Sequence, residues 1–159
     1  MLLWYCSPSI GGVHEIFRSR GLDYRLIALG AMLPLIIDLP FRKFAYGHSL
    51  LVTVALLSAV MLCTIGRSRL LRRRLICIPI GWFCGLVLSG AFLHDTSFLW
   101  PLLGNNFPDD ALFPPLTLLI VAEAIGLAVG IWGYGRFGLR DARRRAAFLH
   151  TGRLEEKVQ

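Results

Sequence analysis

The sequence predicts an all-α integral membrane protein. We expect a polytopic helical bundle with about four transmembrane helices, plus an N-terminal helix that is interfacial or partly inserted. Apolar residues make up 55% of the 159 residues and charged residues 17%, with a mean hydropathy of +0.61. A soluble domain of this length needs more polar surface. The apolar residues also form long runs separated by arginine-rich segments, as membrane helices and their cytoplasmic loops do.

Four apolar segments are the candidate membrane helices. In chain order they are residues 26–40, 49–66, 75–93 and 116–135. The first is short and contains Pro34, so a kinked or re-entrant helix is expected there, whereas the second is long enough to cross with little tilt. Residues 1–17 contain Pro8, Gly11 and Gly12, which favours an interfacial or partly inserted helix and leaves a fifth crossing open.

Positive charge is concentrated in two places and sets the expected orientation. Residues 136–159 hold seven Arg or Lys, and five arginines lie between the second and third segments: Arg67, Arg69, Arg72, Arg73 and Arg74. Such charge marks the cytoplasmic side, so we expect a multi-pass protein of the cell membrane, a bacterial inner membrane, with its C-terminus in the cytoplasm. Arg42 and Lys43 fall on the outer side, against this trend.

The same distribution suggests partners and a domain plan. We expect the loop arginines and the tail to attract the anionic lipid headgroups of the bilayer. Nucleic-acid binding is not expected, because no aromatic interleaving or known motif accompanies the basic residues. The chain is interpreted as one membrane domain, with an N-terminal interfacial segment at residues 1–20, a helical core at 26–135 and a basic cytoplasmic tail at 136–159.

Four ionisable residues meet at one end of the predicted bundle. Asp38 ends the first segment and His48 begins the second, while His94 and Asp95 end the third, so all four fall on the outer side. Histidine and aspartate are ligands that suit zinc or a similar divalent ion. A metal-bound water there could hydrolyse an ester or phosphoester. The alternative is that these residues cap helices or meet headgroups, since polar residues are tolerated at helix ends.

Glu123 lies in the middle of the fourth apolar segment. An intramembrane carboxylate is costly unless it is paired or protonated, so a functional role is one hypothesis. The other is a neutral glutamic acid that is hydrogen-bonded to a neighbouring helix. Ala122, Gly126 and Gly130 are spaced by four residues and would let another helix approach closely.

The order of several short motifs resembles a known family. The motifs are FRSRGLDYRLIALGAMLPLIIDLP, YGHSLL, RSRLLRRR, FLWPLLGNNFP and EAIG, in that order over roughly residues 16–135. Together they resemble the membrane-bound metal-dependent hydrolase family of the YdjM type. The resemblance implies a helical membrane fold, a hydrolase acting on a lipid or phosphoester near the outer leaflet, and a zinc or manganese cofactor. It also implies that Asp38 and His48 are metal ligands.

The chain departs from that family pattern at several ligand positions. A first aspartate of the pattern falls on Leu35, and a histidine and an aspartate of the third helix fall on Gly85 and Ser89. His94 and Asp95 match no motif of the family, and they either compensate for the missing ligands or are incidental.

Three functions are therefore considered. The first is a metal-dependent hydrolase in which Asp38, His48 and His94 hold the metal. Glu123 and Asp95 would be its catalytic residues. The second is a catalytically inactive membrane scaffold or lipid-binding protein with the same fold. The third is a small transporter or accessory subunit in which Glu123 is the proton-linked group.

Overall fold

The computed structural model describes residues 1–17, 21–104 and 112–152. The parts of the predicted N-terminal segment at 18–20 and of the predicted tail at 153–159 lie outside the described residues. Within the described ranges the chain forms α-helices and short 3-10 turns without a β-strand, which confirms the all-α class. The α-helices are α1 Leu2–Phe17, α2 Tyr24–Asp38, α3 Leu50–Cys63, α4 Arg69–Leu75, α5 Cys77–Ser89, α6 Asp95–Phe98, α7 Leu116–Arg136 and α8 Ala142–Thr151.

The centre of the fold is a close parallel contact between α2 and α5. A Cβ atom on Gly81 would overlap the carbonyl oxygen of Ile27, and one on Gly85 would overlap that of Ala31. Residues without a side chain let two helix backbones approach this closely. Because Ile27 faces Gly81 and Ala31 faces Gly85, the two helices run in the same direction.

Helix α1 packs along α7, also in parallel. Gly126 of α7 lies against the backbone of the first turn of α1, and Gly130 lies against Ser7. At the other end of the pair, Arg136 Nη2 is 2.8 Å from Glu15 Oε1. The predicted small-residue stripe on α7 therefore receives α1. Helix α1 is continuous through Pro8 and is a full member of the bundle.

The bundle has two chemically different ends. Trp4 Nε1 donates to the carbonyl oxygen of Leu88 at 3.0 Å, so the beginning of α1 lies beside the end of α5. We call this the site end, because Asp38 is the last residue of α2. At the opposite end, the basic end, Arg74 Nε is 3.5 Å from Asp23 Oδ2. There the end of α8 docks on the start of α2, where Tyr24 N donates to Gly152 O at 2.9 Å.

The buried apolar residues form two clusters, one towards each end of the bundle. The larger cluster lies towards the basic end, where α2 begins, and consists of Val13, Tyr24, Ile27, Cys77 and Phe137. A smaller cluster lies towards the site end and consists of Trp82, Leu86 and Ala91.

Two helical stretches in the described part of the chain are long and apolar enough to cross a membrane. They are Tyr24–Phe41, which is α2 with the 3-10 turn that follows it, and Leu116–Arg136. Helix α3 has 14 residues and rises about 21 Å, less than the roughly 30 Å of a bilayer core. Helix α5 has 13 residues and ends at Gly90, whose φ is 71°. The prediction of four spans is therefore not confirmed, since within residues 1–17, 21–104 and 112–152 two stretches are long and apolar enough.

Candidate functional site

Asp38 is a fully buried carboxylate at the end of α2. After it the chain turns back on itself through Arg42, whose φ of 56° is left-handed. The returning segment places two backbone N–H groups on the carboxylate. Ala45 N donates to Oδ2 and Gly47 N donates to Oδ1, each at 2.8 Å. Each oxygen of the buried carboxylate therefore accepts a backbone hydrogen bond.

His48 completes the surroundings of Asp38. Its Nδ1 lies 2.7 Å from Asp38 Oδ2, and both side chains are fully buried. Nδ1 is the ring nitrogen that faces the carboxylate, and Nε2 is the ring nitrogen on the other side of the imidazole. Among the described residues Nε2 has no hydrogen-bond partner. A buried unpaired nitrogen is unfavourable, so Nε2 marks the one chemically unsatisfied position of this pair.

Gly47 and Trp82 hold the turn that carries His48. A Cβ atom on Gly47 would lie 2.6 Å from Pro34 O and 3.0 Å from Asp38 Oδ1, so a larger residue does not fit there. The buried Trp82 donates from Nε1 to Gly47 O at 2.9 Å. Sequence reasoning missed both residues. The glycine directly before the histidine in YGHS was the available signal for Gly47.

Two serines tie this turn to the segment after α5. Ser49 caps α3 by accepting from Leu51 N at 3.2 Å, and its Oγ donates to Trp100 O at 2.8 Å. Ser97 Oγ donates to Phe44 O at 3.1 Å. The turn between α2 and α3 is therefore connected to α5 and to the segment that follows it.

The structure separates His94 from Asp95. The Phe44 ring stacks on His94, with centroids 4.4 Å apart, and meets His48 edge-on at 4.8 Å. His94 therefore belongs to the surroundings of the buried pair through the ring that both histidines contact. Asp95 is exposed at the first residue of α6, where a negative charge is favourable for the helix dipole.

Glu123 has different partners. Its Oε2 accepts from Leu3 N at 3.2 Å, and Oε1 pairs with the terminal ammonium of Met1. The carboxylate therefore meets the first turn of α1, whose backbone N–H groups and helix dipole suit a negative charge. This contact accounts for a carboxylate within the apolar α7 and is distinct from the Asp38–His48 pair.

A metal shared by Asp38 and His48 does not fit between their facing atoms. Two ligands at tetrahedral zinc lie about 3.3 Å apart, whereas Oδ2 and Nδ1 are 2.7 Å apart. The remaining donor is His48 Nε2, with Asp38 oriented behind the ring. The described ranges contain no group of three His, Cys, Asp or Glu side chains that could hold a metal, and a catalytic zinc normally needs three protein ligands. The described donor set therefore does not fit a catalytic metal.

The positions at which the resemblance expects further ligands have other roles. Gly85 lies against the carbonyl oxygen of Ala31, so a histidine there would force α2 and α5 apart. Ser89 Oγ donates to Leu86 O of its own helix at 2.9 Å. Leu35 is partly buried on α2 and has no ligand atom. These residues serve the helix contact and the local backbone.

Comparison of the chain with protein-family models, with curated protein sequences and with solved structures found no match.

Proposed function

We propose that the chain is a multi-pass membrane protein with a hydrolase-like bundle and no catalytic activity. In this scaffold Asp38 and His48 hold the fold together. The observation that carries the proposal is that Asp38 and His48 are fully buried and in contact with each other. Asp38 receives donors from Ala45, Gly47 and His48, and neither side chain of the pair is exposed. Three hydrogen bonds hold this buried carboxylate, and they stabilise the turn between α2 and α3.

The surface of α7 supports the membrane location. Only 11% of its apolar stretch is buried inside the molecule. Contiguous exposed apolar surface of this kind is costly in water and favourable in lipid. The exposed large side chains on this helix include Leu116, Leu118, Ile120, Val121, Ile125, Leu127, Ile131 and Trp132.

The test of the inactive scaffold is the metal content of the protein purified in detergent. We expect far less than one zinc or manganese per chain, and we expect a chelator to leave the melting temperature unchanged. One equivalent of metal in the wild type that disappears in His48→Ala and persists in Asp95→Ala would contradict the proposal. Asp95→Ala is the matched control, because that carboxylate is exposed at the same end of the molecule.

The unpartnered Nε2 of His48 favours hydrolysis as a second candidate function. In that case Nε2 would accept a proton from water while the water oxygen attacks the carbonyl carbon of a lipid ester. The imidazolium would then give this proton to the alcohol oxygen as the C–O bond breaks and the fatty acid is released. Asp38 would hold the ring and stabilise the imidazolium that forms. Release of fatty acid from a phospholipid by the wild type, lost in His48→Gln, would support this candidate. The glutamine amide has an N–H group to replace the imidazole, and the melting temperature of His48→Gln would show whether the variant is folded.

A further inference from the structure

We infer that a groove between α1, α3 and α5 binds one acyl chain of an anionic phospholipid, with the phosphate at the arginines of α4. The inference rests on the membrane location proposed above and adds a ligand to the scaffold. The groove lies along the side of the bundle and reaches Leu88 at the site end, and the residues that line it do not include Asp38 or His48.

The groove is apolar and opens sideways. It encloses about 680 Å³, and its walls include Val13 and Phe17 of α1, Val54 of α3, and Phe83 and Val87 of α5. Val54, Phe83 and Val87 are 53%, 48% and 51% exposed. A membrane-embedded bundle would present this opening to lipid tails, so a chain can enter without passing through water.

The length of the groove matches one leaflet. On α5 it extends from Pro79 to Leu88, a rise of about 13.5 Å. Half of a bilayer core is about 15 Å, whereas a transmembrane helix of a partner protein would extend over about 30 Å. The groove therefore fits the acyl chain of a lipid in one leaflet better than it fits a partner helix.

The arginines of α4 favour an anionic headgroup. Helix α4 joins the basic ends of α3 and α5, and Arg73 precedes Pro79 by six residues. Arg72 donates to Thr64, and Arg74 is paired with Asp23. Arg69 and Arg73 are exposed and form no ion pair with the described residues. We place the phosphate of the bound lipid at these guanidinium groups, because α4 connects α3 and α5, which form two walls of the groove.

The first experiment blocks the groove. Detergent-purified protein is titrated with phosphatidylglycerol, and bound lipid is counted by native mass spectrometry. Val54→Trp fills the groove from an exposed position and should lower the affinity at least ten-fold. Val121→Trp is the matched control on α7, since Val121 is also 53% exposed, and it should bind like the wild type. Equal binding by the wild type and Val54→Trp would overturn the acyl-chain site.

The second experiment tests the headgroup with the same titration. The wild type should prefer phosphatidylglycerol to zwitterionic phosphatidylcholine, by about five-fold for each contributing arginine. The double variant R69Q/R73Q should lose that preference, and R143Q/R145Q, which removes equal charge from the exposed face of α8, should keep it. A preference that survives R69Q/R73Q would overturn the assigned headgroup position.

The lipid-binding experiments can fail independently of the metal measurement that tests the proposed scaffold. Lipid binding that depends on Val54, in a protein that also holds metal through His48, would overturn the inactive scaffold and retain the groove. A metal-free protein that binds no phosphatidylglycerol would overturn the groove and retain the scaffold.

Discussion

Asp38 shows how a buried charge becomes a structural element. An isolated carboxylate in an apolar interior is very unfavourable, so a buried one must be neutralised or fully hydrogen-bonded. Here two backbone N–H groups and one imidazole nitrogen meet it within a short reversal of the chain. The carboxylate in turn determines the conformation of the turn that begins α3.

Replacing Asp38 with Asn tests this role at the residue scale. An asparagine has an NH2 group in place of one carboxylate oxygen, and this group would face an N–H that now donates to Asp38. At least one buried N–H would therefore lose its acceptor. We expect Asp38→Asn to lower the free energy of unfolding by about 3 kcal/mol, measured by denaturant unfolding in detergent. Asp95→Asn should change it by less than about 0.5 kcal/mol because that side chain is exposed. Equal stabilities for the two variants would show that the hydrogen bonds to Asp38 are not structural.

The sequence could predict that Asp38 and His48 share one end of the bundle, and they are in direct contact there. Their predicted role as ligands stays a prediction, as do the roles assigned to His94, Asp95 and Glu123. The backbone donors could not be foreseen, because they depend on the left-handed turn at Arg42 and on the space that Gly47 leaves open. A hydropathy pattern specifies neither the backbone conformation at Arg42 nor the space beside Gly47.

At the scale of elements, glycine decides how α2 and α5 meet. We expect Gly85→Ala to destabilise the protein by about 2 kcal/mol, because its Cβ atom would press against the backbone of Ala31. Gly12→Ala is the matched control, since a Cβ atom there meets nothing within 4 Å. It should stabilise α1 by about 0.5–1 kcal/mol through helix propensity. Thermal unfolding of both variants in the same detergent shows whether each one is less or more stable than the wild type. If both are less stable, the close contact between α2 and α5 does not explain the effect of Gly85→Ala.

The sequence predicted the existence of the main helices better than their lengths. Residues 49–66 and 75–93 are mostly apolar, and the helices within them end before Gly66 and Gly90. Gly90, the C-cap of α5, has a φ of 71°, as is typical where a helix terminates. Gly66, three residues after the end of α3, has a φ of 77°. An apolar segment reflects composition alone. Its length therefore overestimates the length of a helix that ends before the segment does.

At the scale of the whole molecule, the helix directions and the charges agree. Helices α2 and α5 both point from the basic end to the site end, and α1 and α7 both point the other way. Arg25, Arg74 and Arg136 have partners at the basic end. The charge pattern predicted this polarity because basic residues are concentrated at one end of successive apolar segments. The side-by-side order of the helices depends on glycine contacts that the pattern does not specify.

The last prediction concerns orientation in the membrane. If the basic end faces the cytoplasm, a fluorescent protein fused after Gln159 will fluoresce, whereas a phosphatase that is active only outside the cytoplasm will be inactive at the same position. The double variant Arg42→Gln/Lys43→Gln should keep this result, because the charges that it removes lie at the site end. Neutralising all five arginines between positions 67 and 74 should make the orientation mixed, since the loop would lose its positive charge. An active phosphatase on the wild-type chain would reverse the assignment and place the arginines of α4 outside the cytoplasm.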